Sequence, residues 1–151
     1  MNTQALIFTV FMIALVAIIG IGLWNLWEPV LQIHSLHQEN LIAFYLAQAG
    51  IERAKVEVLN NVNLSGTSSW FTDLDPDPSD SYQLRYRFRI HSGGADRRIL
   101  RGDGQIFDTN RSQVIAFRQI NVTVNGILDA DGDGKDDDNK GGIVSDSWFE
   151  S

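Results

Sequence analysis

The chain has 151 residues, no cysteine, and 19 acidic against 12 basic residues, for a formal net charge of −7. Without cysteine there is neither a disulfide framework nor a thiolate metal site. The acidic balance argues against nucleic acid or an anionic membrane surface as the main partner, because a phosphate-rich partner needs a basic face.

Residues 5–24, ALIFTVFMIALVAIIGIGLW, carry no charge, and Thr9 is their only polar side chain. At ~1.5 Å per residue these ~20 positions make a helix of ~30 Å, the thickness of a bilayer's hydrocarbon core. A secretory signal would show a basic start, a shorter apolar core and a small-residue cleavage site. None is present, and no Lys or Arg occurs before Arg53. Since a membrane helix normally has a basic cytoplasmic flank, the numbering is expected to begin after a removed basic leader. Gly20, Gly22 and Pro29 weaken the helix and remove a backbone donor, which predicts a kink or local unwinding over 20–29.

From Val30 the pattern turns amphipathic. Val30, Ile33, Leu41, Phe44, Ile51, Ala54, Val58 and Val62 recur at near-helical spacing among His34, Gln38, Glu52, Arg53, Lys55 and Glu57. One stripe is therefore expected to pack on a soluble domain, with His34 and His37 as solvated helix residues rather than ligands. The organisation is an apolar helix over 1–28, its amphipathic continuation over 29–62, and a single small head over 63–151.

Asn60 and Asn61 end the helix, and a polar loop with Pro76 and Pro78 follows, onto which Trp70, Phe71 and Leu74 are expected to tuck. Tyr82, Leu84, Tyr86, Phe88 and Ile90 then alternate with Gln83, Arg85, Arg87, Arg89 and His91. This is a strand with one core face and one basic, wet face. The three arginines either keep the sheet soluble, the plainer reading, or meet an acidic partner. Ser92-Gly93-Gly94 turns the chain. Strands over 97–101, 104–107 and 114–124 follow, separated by turns at Gly102-Asp103-Gly104 and Thr109-Asn110. Such short connections make an antiparallel meander. Val144, Trp148 and Phe149 in the tail cover an edge or the bottom of the sheet. The fold class is α+β, a long N-terminal helix packed on a small antiparallel sheet.

Residues 129–138, DADGDGKDDD, match D-x-D-x-D-G-x-x-D. A hard divalent cation takes several oxygens at ~2.3 to 2.6 Å, and carboxylates on alternate residues of a tight loop converge to supply them. The expected ion is calcium, in a structural role, held by Asp129, Asp131, Asp133, the Lys135 carbonyl, Asp137 and Asp138, with Gly134 at the sharp turn. The loop resembles those of EF-hands, dockerins and thrombospondin type 3 repeats, but has Lys140 where an EF-hand has its bidentate Glu. An acidic, solvated loop is the plain alternative. His34, His37 and His91 have no catalytic spacing, and no nucleophile elbow, Walker loop or H-E-x-x-H is present, so an enzyme is not expected.

The uncharged stretch from Met1 to Trp27, its Gly20/Gly22/Pro29 interruption, AFYLAQAGIERAK over 43–55 and YRFRIHSGG from Tyr86 together resemble type IV pilins, in particular PilX-type minor pilins. The resemblance implies a leader removed by a prepilin peptidase, a modified N-terminus at Met1, and a filament whose core is a bundle of N-terminal helices with the β-heads outward. Met1, Leu6, Ile7, Val10, Phe11, Ala14 and Ile18 would lie in that core, against copies of the chain or other pilins. Before assembly the helix would sit as a single pass in the cytoplasmic membrane; afterwards the chain would belong to a cell-surface filament. Ala5 stands where major pilins carry Glu, which brings in minor pilins, type II secretion pseudopilins and archaeal-type pilins. The alternative from another class is a non-polymerising, membrane-anchored, calcium-dependent binding or adhesion module.

Overall fold

The computed structural model describes residues 3–77, 79–137, 141–144 and 147–150, without the side chains of 3, 5–6, 25–26 and 28–34. It is α+β: one helix, α1 (Thr3–Asn60), then strands β1 (Gly66–Thr67), β2 (Tyr82–Ser92), β3 (Arg98–Asp108), β4 (Gln113–Asn125), β5 (Gly142–Ile143) and β6 (Phe149–Glu150). The chain divides into two compact units, Met1–Gln38 and Glu39–Ser151.

In the first unit the backbone stays helical through 20–29. The expected unwinding is absent: Pro29 removes one donor, but the ladder on either side holds the turn. The segment Ile7–Trp24 is long and apolar enough to cross a membrane, and none of it is buried.

In the second unit all strands join one antiparallel sheet of order β1-β2-β3-β4-β5, with β6 also pairing β4. The turns expected at Ser92-Gly93-Gly94 and Thr109-Asn110 are the two hairpin ends of the β2-β3-β4 meander. Neither strand edge is left bare along its whole length. Residues 66–71 close the β2 edge, through β1 and the Phe71–Tyr86 backbone pair. The tail closes the upper β4 edge through β5 and β6, as its apolar residues suggested.

The helical part from Glu39 buries Ala43, Leu46, Ala47, Ile51, Ala54 and Val58 against the sheet. Leu41, expected in that stripe, is 46 % exposed. The contact face consists mostly of small residues because the approach is close. A Cβ on Gly102 would stand 2.1 Å from the Ala47 carbonyl oxygen, and one on Gly104 2.2 Å from that of Ala43. Only glycine fits beneath a helix at that distance. This corrects the turn expected at Gly102-Asp103-Gly104: the tripeptide runs through the middle of β3, paired on both sides. Around it, Ile51, Val58, Phe88, Ile90, Leu100, Ile120, Val122, Val124 and Ile127 form the main core.

The loop after α1 behaves unevenly. Phe71 packs on the core and stacks against Phe88 at 6.0 Å, under the Arg53 guanidinium at 3.9 Å. Arg53 Nη1 also donates to Asp73 Oδ2 (2.8 Å) and Tyr86 Oη (3.0 Å), fastening loop to helix. Leu74, expected to tuck in, is 52 % exposed, and Trp70 crosses to the other face of the sheet, onto Arg85 and Arg87. Once Phe71 fills the inner position, its neighbour must face outward.

The glycine contact is directly testable. Gly102→Ala or Gly104→Ala forces helix and sheet apart and is expected to cost about 3 kcal/mol. By circular dichroism of the full chain in detergent, melting should fall by roughly 10 °C or more. Gly142→Ala, whose nearest neighbour is a side-chain atom at 3.4 Å, should cost under about 1 kcal/mol.

Candidate functional site

Two charged constellations stand on the second unit, one at the end of α1 and one on the far face of the sheet.

The acidic loop is built into the helix terminus. The Val62 N–H donates to the Gly134 carbonyl (2.9 Å) and the Asp136 N–H to that of Leu59 (2.9 Å). Asp136 is 2 % exposed, and its Oδ1 accepts from the Leu128 N–H at 2.8 Å. Inside the loop, Asp131 Oδ1 accepts from the Asp133 N–H (3.0 Å) and Asp133 Oδ1 from the Lys135 N–H (2.8 Å). These Asx turns need left-handed backbone at Gly132 (φ 80°) and Gly134 (φ 84°). The sharp turn expected at Gly134 is present, and Gly132 adds a second.

One carboxylate oxygen from each of Asp129, Asp131 and Asp133 lies within 4.8 Å of the others. Asp129 Oδ1 is buried without a hydrogen-bond partner. Asp137 stands outside this trio, with its Oδ2 taken by the Ala130 N–H. Asp138 and Lys140 lie outside the described residues. The donors are all hard oxygens, the chemistry that suits calcium.

A second group also closes the helix end. Arg98 is 9 % exposed and donates from Nε (3.1 Å) and Nη2 (2.6 Å) to the Val62 carbonyl, and from Nη1 to Gly94 and Arg97 carbonyls. A cation beneath a helix C-terminus is favoured by the helix dipole. Sequence reasoning took Arg98 as an ordinary strand residue; its phase, shared with Leu100 and Ile106, was the available signal that it points inward.

On the far face, Asp103 is fully buried and accepts from Arg87 Nε (2.8 Å), Arg89 Nη2 (3.0 Å) and Arg101 Nε (3.0 Å). Arg89 lies directly opposite Arg101 in the ladder. Such like-charge pairs are unfavourable, and Asp103 beside both relieves this one. Arg85 stacks on Phe107 at 3.7 Å, with Trp70 at 5.1 Å, while the Gln105 amide turns its oxygen to the guanidinium. Trp70 also covers Arg87 at 4.5 Å. The wet basic face expected from β2 is thus an organised cluster around one acid that sequence reasoning had placed in a turn.

Burial alone would push the Asp103 carboxyl up, but hydrogen bonds from Arg87 and Arg101, with the Arg101 and Arg89 charges, hold it below its ordinary range. Burial first, and the neighbouring Arg87 charge second, lower the Arg85 guanidinium from its ordinary value.

Of the residues expected in a helix bundle, Ile7, Val10, Phe11 and Ile18 are each at least 60 % exposed, and Ala14 is exposed. Met1 and the Leu6 side chain lie outside the described residues. His37 and His91 are exposed, as expected. Compared with protein-family models, curated proteins and solved structures, the chain matches none.

Because the folded pKa of Asp103 is depressed, its contribution to stability is complete above the ordinary value of 3.8. It is lost as pH falls through the lower folded value. Asp103→Asn should flatten that part of the acid limb in pH-dependent unfolding. At neutral pH it should cost about 3 kcal/mol, the low end for opening a buried ion pair because the arginines keep some solvent.

Proposed function

We propose that this chain is a structural subunit of a type IV-pilus-like filament, held by its N-terminal helix in the membrane before assembly. The observation that carries the reading is the division of labour along the chain. The core of the second unit is made by residues from Ala43 to Ile127, whereas Ile7–Trp24 is apolar but for Thr9 and wholly unburied. Apolar surface of that extent needs lipid or other helices around it. A bundle of copies satisfies the same demand as lipid, which makes the step from membrane to filament physically reasonable. Leu41, Tyr45 and Val56 are also exposed, at 46 %, 60 % and 58 %, on the part of α1 that belongs to the head. They extend the supply of apolar contacts beyond the membrane-length segment. The minor pilin or pseudopilin reading accommodates Ala5, and the resemblance adds prepilin peptidase processing ahead of a methylated Met1.

Filaments sheared from the cell surface should contain the full chain with its leader removed and Met1 methylated, as read by mass spectrometry. Recovery only from detergent-extracted membrane, as a monomer, would overturn the reading in favour of a tethered binding module.

Calcium in the 129–137 loop is part of the same proposal. Asp129, Asp131 and Asp133 would hold it with the Lys135 carbonyl; the unpartnered Asp129 Oδ1 and the close carboxylate trio support this. The ion would tie the loop to the end of α1, a structural role. Calorimetry on the full chain in detergent should show calcium uptake, and saturation at ~100 times Kd should add about 2.7 kcal/mol of stability. Asp131→Ala combined with Asp133→Ala should abolish both effects. Absence of heat and of any thermal shift in the unaltered chain would remove the ion from the proposal.

A further inference from the structure

We infer that the arginine face of the sheet is a docking surface for the acidic loop of a second copy of this chain. Among the outward-facing positions of β2 and β3 are Arg85, Arg87, Arg89 and Arg101 against the single acid Asp103, a net charge of +3 in a chain whose total is −7. Asp103 has no exposed surface left, so any approaching group meets guanidinium edges and not carboxylate. Arg87, Arg89 and Arg101 each spend one nitrogen on Asp103, stay 25–29 % exposed, and are held in place by that bond. A guanidinium fork carries five N–H donors, which leaves most of them for carboxylates from outside. Trp70, over Arg85 and Arg87, fixes their planes at the rim.

The matching surface is present in the same chain. The 129–137 loop carries five aspartates and one lysine, a net charge of −4. It is hydrogen-bonded to the C-terminal end of α1, and α1 packs on the opposite face of the sheet from the arginines. One chain therefore cannot lay its own loop on its own arginines; a neighbour can. Two complementary patches on different faces form a heterologous contact, which repeats from copy to copy unless it closes into a ring. Charge complementarity of this kind sets orientation and register more than raw affinity. Such a head-to-head contact holds whether or not filaments form.

The chain has no native cysteine, so cross-linking is clean. Gln119→Cys places a thiol beside Asp103 in the ladder, and Lys135→Cys places one in the exposed loop; neither replaces an arginine or an aspartate. The two full-length variants are mixed in lipid vesicles without assembly machinery, in EDTA, and treated with a short bis-maleimide. A mixed dimer is expected, well above the yield of either variant alone. Raising salt from ~0.1 M to ~1 M, which shortens screening from about 10 to about 3 Å, should cut the yield at least fivefold. Adding Asp131→Lys and Asp133→Lys to the loop variant should abolish it. A mixed yield no greater than that of the single variants, or one indifferent to salt or to the loop charges, would overturn the inference. Either result leaves the search for the chain in sheared filaments undecided, so failure of one reading is distinguishable from failure of the other.

Discussion

A helix resting directly on the backbone of a strand governs most of what the head of this protein is. Ala43 and Ala47 of α1 sit over Gly104 and Gly102 of β3, with Gly50 of the helix facing the Arg87 carbonyl, where an added Cβ would come within 2.8 Å. Small residues on both sides let the two backbones approach until carbonyl oxygens occupy the space of absent side chains. Strand geometry then determines the residue between the two glycines. With side chains alternating across a sheet, position 103 must face away from the helix, and the three arginines beside it on that face can reach it at once. The close helix contact and the buried aspartate follow from the same three residues.

The terminus of α1 imposes the second constraint. The last carbonyls of a helix lack intrahelical partners and must be satisfied by something else. The Asp136 N–H takes the Leu59 carbonyl, and just past the helix end the Arg98 guanidinium takes the Val62 carbonyl while Gly134 accepts the Val62 N–H. The loop after β4 is thereby a cap as well as a cluster of acids. Its buried member, Asp136, holds the Leu128 N–H, while Asp129, Asp131 and Asp133 converge on the outer side. Asp136 and Asp137 hold the loop, whereas Asp131 and Asp133 both brace its turns and present oxygens.

These two constraints explain which parts of the structure were legible beforehand. The alternation from Tyr82 to Ile90 is long and made of large side chains, so the strand and its inner face could be read directly. The acidic loop could be read because glycine and aspartate spacing specifies local turns, and Gly132 and Gly134 adopt the left-handed backbone this requires. Gly102-Asp103-Gly104 was misread because its residue types are those of turns. The contrary signal was phase: Leu100, Gly102, Gly104 and Ile106 keep the two-residue period, with Arg101, Asp103 and Gln105 between them. Hydrophobic spacing on the helix favoured Leu41 over Ala43 because it weighs size, whereas the contact selects for smallness. The gathering of Arg87, Arg89 and Arg101 on one acid depends on the β2–β3 register, which no local pattern contains.

Charge and apolar surface are therefore divided among separate parts of the chain. Among the described residues the buried apolar core of the head begins at Ala43, while Ile7–Trp24 is unburied and suited to more than one apolar environment. Burial in such a segment is non-directional and fixes little about how neighbouring heads are turned. Directional contacts must come from polar groups in defined places. The head has cations organised by Asp103 on one face of its sheet and anions organised by the end of α1 on the other. In the filament proposed above, a subunit relying on its apolar helix alone would slide and rotate against its copies; there the opposed charges of arginine face and acidic loop would supply the register.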